Sequence, residues 1–308
     1  WPQSWIGSMA VIALMLITLL IFRSQHVYFK RIVLWVMVAC LACEIALTVR
    51  PISNAWIPAD WSFFQCDVGQ GDALIIRTTQ NRAVVIDVGP APDAIDRCLT
   101  LLEVKRIELL ILTHFHADHV SGLSGALRGR RVDLLWTSLT NEPADEARRT
   151  EDLIHGISGS SPQVGARFVS EHVAIEVVAA AAHSSPNDSS ISIIGTAHGM
   201  TFFAAGDLEL EGQARALEAL KRFRARDIWD GAPIDLMKAT HHGSALQNPD
   251  LVALLQPRAT FISVGADNPY GHPTQSALAL YGRFGTIYRS AQYRTAVSCG
   301  WSAAHWKN

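Results

Sequence analysis

The sequence predicts a layered α/β sandwich, with sheets inside and helices on both outer faces, preceded by two membrane-crossing helices. Three observations predict it. Two apolar runs of about 18 residues, 5–22 and 32–49, open the chain; the first is uncharged and the second holds only Glu44. From Trp61 onward, short β-rich runs alternate with segments of helical spacing. Several of those runs end on histidine or aspartate.

Each opening run is near the lower limit for spanning a hydrocarbon core of roughly 30 Å as a helix. Trp1, Trp5, Tyr28 and Trp35 stand near the run ends, where aromatic belts are expected. The connector from Arg23 to Arg31 carries three firm positive charges, which puts it in the cytoplasm and everything after Arg50 outside. The chain starts at Trp1 with no signal-peptide cleavage site before it, so it reads as a fragment of a longer membrane protein. The expected organisation is therefore 1–50 membrane helices, 51–60 a proline-containing linker, and 61–308 a folded α/β domain.

Within that domain WSFFQCDV, ALIIRT and RAVVIDVG read as three strands, DAIDRCLTLLEV as a helix, and ELLILTH as a buried strand. VDLLWTS, AIEVVAA, IDLMKAT and ATFISVG are further strands, and helices are expected near 209–222 and 248–255. ISIIGTAHGMTFFAAGD reads as a hairpin turning at His198-Gly199.

The first 60 residues hold four basic and two acidic side chains, which leaves 22 basic against 26 acidic in the remainder. That lacks the basic surplus of a strong nucleic-acid binder. Five cysteines form no disulfide framework; Cys66, Cys98 and Cys299 are expected as isolated buried thiols, and Cys40 and Cys43 as small packing groups.

The chemistry concentrates in ELLILTHFHADH. A buried strand delivers His114, His116, Asp118 and His119 within six positions, and the period of two puts His114 and His116 on one side. Those two suit one metal, while Asp118 and His119 reach a second; imidazoles with a carboxylate suit Zn, Mn or Fe. Asp207, past the strand TFFAA, is expected to bridge the metals. Of His241 and His242, also at a strand end, one is expected as a ligand, His242 by preference, and the other as a substrate contact. Asp87 ends VVID and is expected to hydrogen-bond a ligand histidine.

HxHxDH, a strand-end GD and a strand-end His resemble the metallo-β-lactamase superfamily, whose fold is an αββα four-layer sandwich. DVGQGDALII, VVIDVG, LTHFHADHVSGL, SPNDSSISII, FAAGD, LMKATHHGS and NPYGHP together resemble, over residues 61–300, the C-terminal domain of ComEC-type competence proteins. The resemblance implies two divalent transition-metal ions, Zn or Mn. It also implies a nuclease that degrades one strand of incoming DNA during natural transformation. The implied partners are single-stranded DNA, the membrane, the rest of a ComEC-like channel and other competence proteins. The implied location is the inner (plasma) membrane, with the hydrolase domain on the outer, periplasmic side.

SPNDSS holds no counterpart of the third histidine that most superfamily members bring to the first metal, so Asn187 or Asp188 is the expected contact there; His183 lies outside the motif. Ala291 stands where the family tends to carry an Asp. Asp72 and Ser244 are expected beside the metals or substrate. The implied reaction is phosphodiester hydrolysis, with Asp118 orienting the attacking water and His241, His242 or His272 protonating the departing 3′ oxygen. The alternatives are a related hydrolase on another ester, such as a phosphorylcholine ester, and a non-enzymatic DNA-transport module.

Overall fold

The computed structural model describes residues 27–48, 57–223, 228–290 and 296–299. The chain divides into two units, 1–53 and 54–308. The first apolar run, 5–22, lies outside the described residues. The second forms helix α1, Val27–Thr48, with Ile32, Leu34, Trp35 and Val36 exposed. Among the described residues no helix is long and apolar enough to cross a membrane.

The second unit follows in order. Strands β1 (Trp61–Gln65), β2 (Leu74–Thr79) and β3 (Arg82–Ile86) lead to helix α2 (Pro92–Leu101) and strand β4 (Arg106–Leu112). Two short helices, α3 (Ala117–Val120) and α4 (Leu123–Ala126), precede β5 (Arg131–Val132), β6 (Leu135–Thr137), helix α5 (Ala144–Leu153) and β7 (Gly159–Ser160). Then come β8 (Arg167–Val169), β9 (Val173–Ala179), β10 (Ser192–Ala197), β11 (Met200–Ala204), helix α6 (Leu210–Phe223) and β12 (Leu236–Lys238). Helix α7 (Pro249–Leu255), β13 (Ala259–Ile262), helix α8 (Gln275–Tyr281), β14 (Thr286–Arg289) and β15 (Ala296–Cys299) close the chain.

One sheet runs β15-β1-β2-β3-β4-β6-β7, with β5 also on β4; the other runs β14-β13-β12-β11-β10-β9-β8. Side-chain alternation along the strands separates three cores. Phe63, Leu74, Ile76, Val84, Ile86, Leu109 and Ile111 face Ile175, Val177, Ile193, Phe202 and Phe261 between the sheets. The rings of Phe63 and Phe202 meet edge to face at 5.2 Å. The intervening residues Phe64, Ile75, Val85, Leu110 and Leu112 pack outward with Ile95 and Leu99 of α2. The other outer core joins Phe203 and Met237 to Leu217 of α6, Leu251 of α7 and Tyr281 of α8. Helix, sheet, sheet, helix is the predicted layering.

β10 and β11 form the expected hairpin: His198 (φ 50°) and Gly199 (φ 79°) are both left-handed, as a tight two-residue turn with right-twisted arms requires. The cysteine expectation is corrected. Cys66, just past β1, is bonded to Cys98 in α2, their Cα atoms 6.0 Å apart. Their separation of 32 positions hides the pairing in the sequence. It becomes visible only once β3 and α2 fold the chain back. Cys40 is a free, exposed thiol.

β3 and β4 run parallel, as do β11, β12 and β13. The loops leaving β3, β4, β11 and β12 therefore carry their polar residues to strand C-termini, where open α/β sheets place their sites.

Candidate metal centre

Thr113 to His119 leave the end of β4, and the backbone there is held from below. The Asp87 carboxylate accepts from the Thr113 backbone N–H and from the Thr113 hydroxyl, both at 2.8 Å. Its Oδ2 also meets His119 Nδ1 at 2.8 Å. Burial pushes the Asp87 carboxyl up, against the opposing pull of His119. The bond to Nδ1 turns His119 Nε2 toward the cluster and fixes its orientation.

Nε2 of His119 lies 3.2 Å from Asp207 Oδ2 and 3.8 Å from Asp118 Oδ2. Nε2 of His242 lies 3.2 Å from Asp118 Oδ2 and 3.4 Å from Asp207 Oδ2. Four ligands at 2.0–2.1 Å around a tetrahedral ion are about 3.3 Å from one another. The observed spacings bracket that value. Beside this set, His114 Nε2 and His116 Nδ1 converge to 3.0 Å, and the His114 and His119 ring centroids are 4.1 Å apart.

The buried atoms His119 Nε2, His242 Nε2 and Asp207 Oδ1 have no hydrogen-bond partner of acceptable geometry among the described residues. Buried polar atoms rarely stay so. The donor set of imidazoles and carboxylates fits divalent transition metals: Asp118, His119, Asp207 and His242 could hold an ion, and His114 and His116 converge beside them.

The two pairs of imidazoles differ electrostatically. Burial holds His114 well below the ordinary imidazole value and lowers His116 too, which keeps both neutral with a free lone pair. Burial also opposes charge on His119 and His242, but Asp207 with Asp87 and Asp118 raises the first well above its usual value. Asp207 with Asp72 and Asp118 does the same for the second. The Asp207 carboxyl, which burial alone would raise, is held well below its usual range by those two imidazoles.

His241 and His242 separate through the backbone. Both lie in the left-handed region (φ 44° and 52°) and Gly243 follows at φ 77°. His242 is buried, its Nδ1 2.9 Å from the Ser263 carbonyl oxygen. Asp72 Oδ1 lies 3.3 Å from the same nitrogen, and the other Asp72 oxygen is paired with buried Lys238. Asp72 therefore stands behind His242 and outside the cleft lining, but a carboxylate oxygen of it lies within 4.8 Å of ligand atoms of His119, Asp207 and His242, as expected of a residue beside the cluster. Gly71 brings it there: a Cβ on Gly71 would come within 2.2 Å of the Asp118 carbonyl oxygen. His241 is turned to the cleft, its Nε2 3.8 Å from Asp207 Oδ2 and its Nδ1 3.7 Å from Glu209 Oε1. The His272 ring is 5.5 Å from that of His241.

Asn187 and Asp188 part in the same way. Asn187 lines the cleft, donates from Nδ2 to Glu209 Oε1 at 3.0 Å, and has a buried Oδ1 with no hydrogen-bond partner. The Asp188 carboxylate instead accepts from the backbone N–H groups of Glu209 (2.9 Å) and Gly212 (2.8 Å) at the start of α6, as a helix cap does. It is not brought to the metals, and its capping leaves the Asp207 carboxylate for the cluster. Ser244 is buried, its hydroxyl accepting from the Leu246 N–H at 3.2 Å, and shapes the turn. His183 Nε2 pairs with Glu211 at 3.3 Å, away from the cluster.

Motifs alone do not single out Lys238, Glu209, Ser190, Gln70, Arg149 or Tyr270; of these, Ser190 has its hydroxyl 3.3 Å from His114 Nδ1. A lysine inside the apolar run IDLMKAT was a signal for a buried ion pair; the others carry none in the sequence. The cleft over the metals has a volume of about 620 Å³ and is lined by His116, Asp118, Asn187, Asp207, His241, His242 and His272, with Gln70, Asp145, Glu146, Arg149 and Tyr270 around them.

A family model described as the Metallo-beta-lactamase superfamily matches residues 66–265. ComE operon protein 3 of Bacillus subtilis (strain 168) is 27% identical over 241 residues, 70% of this chain and 30% of that protein. The chain thus spans under a third of that relative's length. The metallo-beta-lactamase fold protein YhfI from Bacillus subtilis superposes with TM-score 0.47 at 9% identity, covering 74% of this chain and 96% of that one. Igni18, a metallo hydrolase from Ignicoccus hospitalis, gives TM-score 0.45 at 13% identity over 77% and 98%.

Proposed function

The chain belongs to the metallo-β-lactamase superfamily as a metal-dependent hydrolase, and on that premise we propose that its substrate is a phosphodiester of DNA. The observation that carries the reading is Asp207. One of its oxygens faces His119 and His242, its other is buried without a hydrogen-bond partner among the described residues, and the His114–His116 pair adjoins His119, with the His114 and His119 ring centroids 4.1 Å apart. A carboxylate shared by two ligand sets suits the paired ions that phosphodiesterases use. Bound there, such ions supply an acidified water and neutralise charge on phosphoryl oxygens.

This chain's own residues do the rest. Asp118, open on one side, orients the attacking water. Asn187 Oδ1, buried and unspent, supplies the acceptor where a third histidine is absent. His241 and His272, adjacent on the cleft wall, are placed to protonate the departing 3′ oxygen.

The relative's name, ComE operon protein 3, supports a place in DNA uptake. In that role the enzyme degrades one strand of incoming DNA beside a membrane channel formed by the longer protein and other competence proteins. The exposed apolar side chains along α1 support membrane attachment, and the Cys66–Cys98 disulfide supports an oxidising, outer compartment.

A second reading has its own observation. Asp145 and Glu146 line the cleft beside Arg149, and Arg149 is already paired to Glu146 at 2.6 Å. That wall favours a small phosphodiester, such as a phosphorylcholine ester, over a long polyanion. Incubating the full chain with labelled single-stranded DNA, duplex DNA and p-nitrophenylphosphorylcholine, in Mn or Zn, separates the two. The proposal expects DNA products that vanish in Asp207→Ala. Turnover of the choline ester alone overturns it.

A further inference from the structure

We infer that Tyr270 is a stacking platform for an unpaired nucleobase at the mouth of the metal cleft. The inference rests on the phosphodiester reading and names what the site recognises beside the phosphate.

Tyr270 is 67% exposed, the one large aromatic so placed among the described residues of the hydrolase unit. A single exposed aromatic is ordinary; its surroundings here are not. It lines the same cleft as the metal-binding residues. Its ring lies 19° from the plane of His272 with centroids 6.2 Å apart, and His272 is in turn 5.5 Å from His241. Three rings thus lead from the rim to the metals.

The platform is built rather than draped. The Asn268 carboxamide oxygen accepts the Tyr270 backbone N–H at 2.9 Å, and the Asn268 amide donates to the His272 carbonyl oxygen. One side chain therefore holds the backbone that carries both rings, so less freedom is lost when a flat group settles there.

Charge points the same way. Beyond residue 60 the chain has 22 basic and 26 acidic side chains, and Arg149 in the cleft is flanked by Asp145 and Glu146. Phosphate contacts to basic side chains therefore contribute little to holding the strand. A base stacked on an aromatic ring supplies that affinity without a basic groove, because every base has a flat face. A paired base is shielded inside the duplex, so the platform selects single strands or frayed ends.

The test measures kcat and KM of the full chain, metal-loaded, on a single-stranded oligonucleotide and on the same strand with abasic residues near the cleaved end. Tyr270→Ala is expected to raise KM on the intact strand on the order of tenfold, with kcat within about twofold and metal content unchanged. Tyr270→Phe should behave as wild type. The abasic strand should already show the raised KM with wild type, and Tyr270→Ala should add nothing. Wild-type cleavage of DNA with no KM change in Tyr270→Ala, or an equal change on the abasic strand, overturns the platform and leaves the nuclease reading standing. Failure of wild type to cleave DNA overturns both.

Discussion

His241 and His242 are neighbours in sequence and do different work. His242 is buried with Nε2 3.2 Å from Asp118 and 3.4 Å from Asp207, while His241 opens to the cleft. His242→Ala should lower metal content and abolish turnover, since removing one ligand of a closed set typically weakens binding by orders of magnitude. His241→Ala should keep its metal and lose about 10²-fold in kcat, as loss of a general acid does. Metal analysis beside steady-state kinetics checks both; a metal loss in His241→Ala would exchange their roles. Much of this was legible beforehand. The strand-end pattern brought His114, His116, Asp118, His119, Asp207 and His242 forward, because apolar strands with polar ends leave few places for such side chains to go. Asp188 was not legible. A cap and a ligand look alike in sequence, and only the position of Glu209 and Gly212 assigns it to α6.

Among the elements, α2 and the segment after α4 brace the loop that carries the cluster. Arg130 joins them: Nη1 donates to Asp96 at 2.7 Å and to the Gly125 carbonyl at 3.1 Å, Nε to the Val104 carbonyl at 3.0 Å, and Nη2 to Thr100 at 2.7 Å. Arg130→Ala strands several acceptors and should destabilise the fold by about 2–3 kcal/mol, read as a shift in denaturation midpoint. The hydrogen bond from Arg130, with its charge and the hydrogen bond and charge of Arg128, holds the Asp96 carboxyl below its usual value against the opposing effect of burial. A lowered folded value means the stabilisation is present above the unfolded pKa of about 3.9 and is lost as pH falls through the folded value. The gap between wild type and Arg130→Ala should therefore narrow below about pH 4, without closing, since the carbonyl bonds persist. A gap independent of pH contradicts the Asp96 pairing. Such bracing is invisible in sequence because Asp96, Thr100 and Val104 lie 26 to 34 positions away and the partners include backbone carbonyls.

For the whole molecule the alternation of apolar and polar residues was enough to predict two sheets between helix layers, because a period of two sorts each strand's side chains into separate cores. The strand Thr286–Arg289 went unread, being short and only partly buried. The Cys66–Cys98 bond closes a loop whose constraint on the unfolded chain corresponds to about 3–4 kcal/mol. Such a bond is expected where the surroundings are oxidising. The outside location follows as a prediction: fused after residue 308, alkaline phosphatase should be active and green fluorescent protein dark. The reverse pattern would place the domain inside and remove the strand-degradation role, while leaving the metal chemistry untouched.

The central claim is that Asp207 joins two sets of metal ligands into one centre. The most direct measurement is metal stoichiometry of the purified full chain by plasma emission spectroscopy, wild type beside Asp207→Ala. The proposed two-ion centre predicts close to two transition-metal ions per wild-type chain, a fall in both in the variant, and no hydrolysis by the variant. An unchanged metal content in Asp207→Ala would contradict it.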